Sequence, residues 1–102
     1  MASDTNISKT QSSFYRRLYV AYLIAQGIHT VPAIQAHTGM PRRTAQDTIG
    51  ALQELDIRCT FIGANKDGHY EIQNWGPIDP NWVNRAAKRL AQALHYPTLL
   101  HP

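Results

Sequence analysis

The stretch TVPAIQAHTGMPRRTAQDTIGALQELDI runs from Thr30 to Ile57 and decides how the rest of the chain is read. Thr30 suits a helix cap. Pro32 falls in the first turn of the helix that follows, where its missing N–H removes no hydrogen bond. That helix spans Val31 to His37 and stops at Thr38-Gly39-Met40. Pro41 opens the next helix, to about Leu55, on which Ala45, Ile49 and Leu52 share a face flanked by Thr48 and Leu55. Arg42, Arg43, Gln46, Asp47, Gly50, Gln53 and Glu54 occupy the rest of its circumference.

Upstream, a helix is predicted from about Ser13 to Gln26, capped by Ser12 or Ser13 and ended by Gly27. Phe14, Leu18, Ala21 and Ala25 form one stripe, while Tyr19, Val20 and Leu23 point the other way. A helix apolar on two sides must be covered twice, by its own chain or by a partner. Ile28-His29-Thr30 reads as a short strand. Downstream, Ile57, Cys59 and Phe61 alternate with Arg58, Thr60 and Ile62. After the loop at residues 63–68, Tyr70 and Ile72 alternate with His69, Glu71 and Gln73. Placing Phe61 opposite Tyr70 and Cys59 opposite Ile72 puts all the apolar residues on one face, so two independent alternations agree on one register. Trp75 to Ile78 is a break. Asp79 caps, and Pro80 opens, a fourth helix to about His95, with Trp82, Val83, Ala86, Leu90 and Leu94 in its apolar half. Trp75 and Trp82 are expected to pin that helix to the domain.

Two short helices joined by a glycine-bearing turn form a helix-turn-helix connection. With a helix and short strand before it and a hairpin after it, the order is that of a winged helix-turn-helix. Residues Thr30 to Ile57 resemble the helix-turn-helix of small bacterial winged-helix regulators: a short helix ending in Thr38-Gly39, then the Arg42-Arg43-Thr44 helix start, then the Leu52–Leu55 stripe. Within that group the chain is most similar to a small prokaryotic family of winged-helix DNA-binding proteins of unassigned function. The resemblance covers about residues 13–75. It departs at Asp56, where a glycine often ends the second helix; Asp tolerates the left-handed conformation better than most residues. The predicted fold is therefore mainly α with a small β-hairpin: a three-helix core plus wing, with an added C-terminal helix. The predicted organisation is a flexible polar arm at 1–12, the winged domain at 13–75, and an amphipathic helix and tail at 76–102 packed on the same domain.

Composition bounds the function. The 102 residues make one domain, and 43% hydrophobic with 17% charged is an ordinary globular balance, neither disordered nor collagen-like. The longest apolar run, Leu18 to Ala25, is far short of the ~20 residues of a membrane span. The polar residues 1–13 lack the apolar stretch of a signal peptide. The lone Cys59 suits a reducing cytoplasm and can build neither an internal disulfide nor a Cys-rich zinc site. The formal charge is +3, and Arg85, Lys88 and Arg89 carry the whole excess, while residues 1–79 balance. No catalytic motif occurs, the five histidines show no ligand spacing, and no cofactor is implied. The hairpin register separates Cys59 from His69, so the pair is not a nucleophile and base.

The winged-helix reading implies double-stranded DNA as partner. The N-terminal part of the second helix of the motif faces base edges in the major groove, and here that part presents Arg42, Arg43, Thr44, Gln46 and Asp47. Arg can fork onto guanine and Gln can bridge adenine. Two cations in a first turn oppose the helix dipole, which favours acids there. Asp47 is expected to pair with Arg43. Lys66, at the wing tip, is placed to meet phosphate, with Asn65, Asp67 and Gly68 as turn residues. Arg85, Lys88 and Arg89 read as the wet side of the last helix. The apolar surplus on the first and last helices predicts a homodimer through Tyr19, Leu23, Leu90 and Leu94. The function read here is transcriptional regulation. The alternative is a winged-helix protein-docking module without DNA binding, which the neutrality of residues 1–79 favours and the two arginines oppose.

Overall fold

The first helix begins earlier than its apolar periodicity suggests. In the computed structural model, which describes residues 7–64 and 66–97, α1 spans Lys9–Ala25. Ser8 is its cap: the hydroxyl oxygen accepts from the Gln11 backbone N–H at 3.0 Å. Gln11 Nε2 in turn donates to Tyr15 Oη at 3.0 Å, one turn on. Residues 9–12, expected in the polar arm, are thus helical because cap and side-chain hydrogen bonds replace an apolar stripe. The expectation for residues 1–6 lies outside the described residues.

Six residues near the end of α1 (Leu18, Tyr19, Val20, Ala21, Leu23 and Ile24) are buried around its whole circumference. The cover is intrachain. On one side lies α4 (Pro80–Leu94), and on the other lie α3 (Arg42–Gly50) and the hairpin. Tyr19 is 1% exposed, and Leu23 and Leu90 are fully buried. These residues, expected at a dimer interface, are instead core, because α4 supplies the second apolar face that α1 needs. Leu94 packs half-buried at the edge of the same core.

Helix α2 (Val31–Thr38) is capped by Thr30, whose Oγ1 accepts from Ala33 N at 3.1 Å. It ends at Gly39 in the left-handed conformation, φ 81°. The buried Thr38 hydroxyl knits the turn, donating to the Ile34 carbonyl at 2.8 Å and accepting from Met40 N at 3.1 Å. Pro41 precedes α3, on which Ala45, Thr48 and Ile49 are buried. Beyond Gly50 the coil tightens to a 3-10 segment, Ala51–Leu55, where one α-helix through Leu55 was predicted. Asp56 then takes φ 61°, the left-handed conformation that the resemblance implied at that position, and Ile57 N donates back to the Leu52 carbonyl at 3.2 Å. Gly76, at φ 60°, lies so close to the Asp56 carbonyl that no side chain fits there.

The hairpin pairs β1 (Arg58–Ile62) with β2 (His69–Asn74) in the predicted register: Phe61 faces Tyr70 and Cys59 faces Ile72. An irregularity between Arg58 and Cys59 sets Arg58 opposite Asn74. The predicted apolar face is buried only at its root. Ile57 is 1% exposed, whereas Phe61, where the hairpin runs out past the core, is 47% exposed and meets Tyr70 edge-on at 5.0 Å. Residues 28–30 form no strand; among the described residues one backbone hydrogen bond, Tyr70 N to the His29 carbonyl at 2.8 Å, joins this segment to β2.

Asp79 caps α4, accepting from Asn81 N at 2.9 Å, and Val83, Ala86, Ala87, Leu90 and Ala91 lie against α1. Trp75 packs on the core as expected. Trp82 does not: it is 37% exposed, with the Arg89 guanidinium 5.5 Å from its ring centroid. The architecture is the expected one, a mainly helical winged helix-turn-helix with a two-stranded wing and a further C-terminal helix on the same core.

Candidate nucleic-acid interface

Burial of Ala45, Thr48 and Ile49 fixes the rotation of α3 and turns its opposite side outward. Arg42, Arg43, Gln46 and Asp47 are exposed there, as are Gly50 and Gln53 further along. Thr44 is half-buried, and its carbonyl accepts from the Thr48 hydroxyl at 2.7 Å, so it serves the helix as much as the surface. Pro41 offers no side-chain cap. The first N–H groups of α3 are therefore open to solvent or to an anion. The expected Arg43–Asp47 ion pair is not formed. Among the described residues the ion pairs are Arg17–Glu54 at 3.4 Å and His69–Glu71 at 2.9 Å. A base one turn before an acid is the weaker order on a helix, and both side chains stay in water.

Lys66 is exposed in the wing turn, beyond the pairing of Ile62 with His69. Asn65, read as a turn residue, lies outside the described residues. The exposed Arg85, Lys88 and Arg89 lie on the side of α4 away from α1. They form the wet face expected of them.

Two grooves border α3. One, of about 280 Å³, lies toward α1 and is lined by Ser13, Arg16, Arg17, Thr44 and Asp47. The other, of about 470 Å³, lies toward the wing and is lined by Gln46, Gln53, Arg58, Cys59 and Tyr70. Arg16, Arg17 and Arg58 were not among the sequence-derived contacts. Their charge was legible, but the balance of residues 1–79 hid the fact that folding gathers them around one helix.

Burial pushes the half-buried Cys59 thiol up to about 11, which keeps it protonated at neutral pH. His69 bonds Glu71 and meets the His29 ring at a tilt, with centroids 4.5 Å apart. The bond from His69 holds the Glu71 carboxyl below the usual glutamate value. No cluster of three or more metal-ligating side chains occurs among the described residues. Nor, among them, is any helix long and apolar enough to cross a membrane.

A family model described as winged helix-turn helix matches residues 9–94. A crystal structure of a DUF2131 family protein from Shewanella amazonensis SB2B is similar over 90% of this chain and 92% of that one, at 32% identity and a TM-score of 0.83. No curated protein matches the sequence.

Proposed function

The chain belongs to the winged helix-turn helix family, and from that premise we propose that it binds double-stranded DNA sequence-specifically as a cytoplasmic bacterial transcriptional regulator. One observation carries the reading. Arg42 and Arg43 stand exposed at the uncapped start of α3, with no carboxylate within 4.0 Å among the described residues. Two exposed cations beside open N–H groups suit a polyanion and oppose the dipole of an isolated helix. In this reading Arg42, Arg43, Gln46 and Asp47 face base edges, Thr44 braces them, and Lys66 meets the backbone from the wing.

Duplex titration at several salt concentrations tests it. Affinity falls steeply with salt as counterions are released. Arg43→Ala costs about 1–3 kcal/mol and relaxes preference at one base pair, whereas Lys66→Ala weakens all sequences alike. Salt-insensitive affinity, or none, gives the domain to protein docking instead.

A homodimer reading paired half-sites belongs to the same proposal. With Tyr19, Leu23 and Leu90 in the core, the large apolar side chains left to it on α1 and α4 are Phe14 and Trp82, 36% and 37% exposed. Light scattering is expected to give twice the 11.5 kDa chain mass; a monomer at tens of micromolar removes the dimer and leaves DNA binding standing.

A further inference from the structure

A helix about 10–12 Å across, seated in a major groove about 12 Å wide, has a phosphate backbone along each flank. The flanks of α3 are the two grooves described above, and each holds an arginine with no described carboxylate partner. Toward α1, Arg17 is held by Glu54 at 3.4 Å, while Arg16 has no carboxylate within 4.0 Å among the described residues. The Ser13 and Thr44 side chains line the same groove, and Asp47 is its acid. Toward the wing, Arg58 is exposed beside Gln46 and Gln53 and is likewise without an ion-pair partner among the described residues. The irregularity after Arg58 lies at this point of β1, and such bulges re-aim a side chain.

We propose that Arg16 and Arg58 form the two jaws of a phosphate clamp, each gripping the DNA backbone on its own side of α3. The guanidinium fork matches two phosphate oxygens and reads no base. The clamp rests on the DNA-binding reading and deepens it: it assigns positioning to α1 and the wing root, and leaves sequence choice to α3.

The test is fluorescence anisotropy of a labelled mixed-sequence duplex over a range of salt. Arg16→Ala and Arg58→Ala each reduce the salt slope by about 1, and the double variant reduces it by about 2, on every sequence tried. Arg16→Lys, which keeps the charge, retains the slope. Arg85→Ala removes the same charge from the outer face of α4 and leaves the slope unchanged. Wild-type slopes for either single alanine variant overturn the clamp while DNA binding stands, and so does an equal drop with Arg85→Ala. Failure of the wild-type protein to bind duplex in a salt-dependent way removes the DNA reading and the clamp with it.

Discussion

Tyr19 shows how one residue changes meaning between sequence and structure. On a helical wheel it lies on the second apolar side of α1 and invites a partner. In the fold its ring is buried against Tyr22 and Tyr96, at centroid distances of 5.7 and 6.0 Å. Its hydroxyl donates to the Pro97 carbonyl at 3.2 Å and lies 3.4 Å from His37 Nε2, which in its N–H form donates to the same oxygen. Burial pushes this hydroxyl up to about 12 from an ordinary 10. The stability tied to its protonated form is complete below pH 10 and is lost as pH rises through 12. Tyr19→Phe is expected to cost about 0.5–1.5 kcal/mol at neutral pH through the lost bond, and to remove that alkaline loss. Denaturant titrations at neutral and alkaline pH measure both. Asp56 is the opposite case: its left-handed conformation was readable from the resemblance, because a glycine often ends the second helix at that position and Asp tolerates the same conformation better than most residues. The demand this places on Gly76, which sits against the Asp56 carbonyl, was not readable, since the two meet only in space.

Among the elements, the hairpin's register was legible from Cys59 to Ile62, though not the irregularity at Arg58. A period of two leaves one register that keeps both apolar sets on one side. The short helix α2 was legible from Thr30, Pro32 and Gly39, which act locally. The start of α1 was not, because Ser8 to Ser12 carry no apolar period and their order rests on hydrogen bonds alone. Ser8→Ala is expected to cost about 1 kcal/mol and to fray the first turn, read as faster amide exchange at Lys9–Gln11 with the core unchanged. The tightening of α3 after Gly50 was equally hidden, since periodicity over Ala45, Ile49 and Leu52 fits either coil closely over so few residues.

At the scale of the whole molecule, α1 is the helix against which α4, α3, the 3-10 segment and β2 pack, while α2 packs on α3. Its coverage by α4 accounts for the apolar surplus that had suggested a second subunit. Leu23→Glu therefore does not split a dimer. It places a carboxylate in the core and is expected to cost more than about 3 kcal/mol, seen as loss of cooperative unfolding and of most helical signal by circular dichroism. The charge has a similar history. The net excess sits on the outer face of α4, yet the cations that matter for the proposed function, Arg16, Arg42, Arg43 and Arg58, gather around α3 from three separate elements. The order of the four helices and the hairpin, the caps of α2 and α4, the hairpin register and the outward face of α3 were determined by the sequence alone, because each follows from interactions within a few residues or from a period that admits one buried side. What covers α1, where Trp82 ends up and which arginines border α3 were decided only by tertiary packing. An apolar stripe dictates that a surface be removed from water but not by what, and charge summed along a chain says nothing of where folding brings it together.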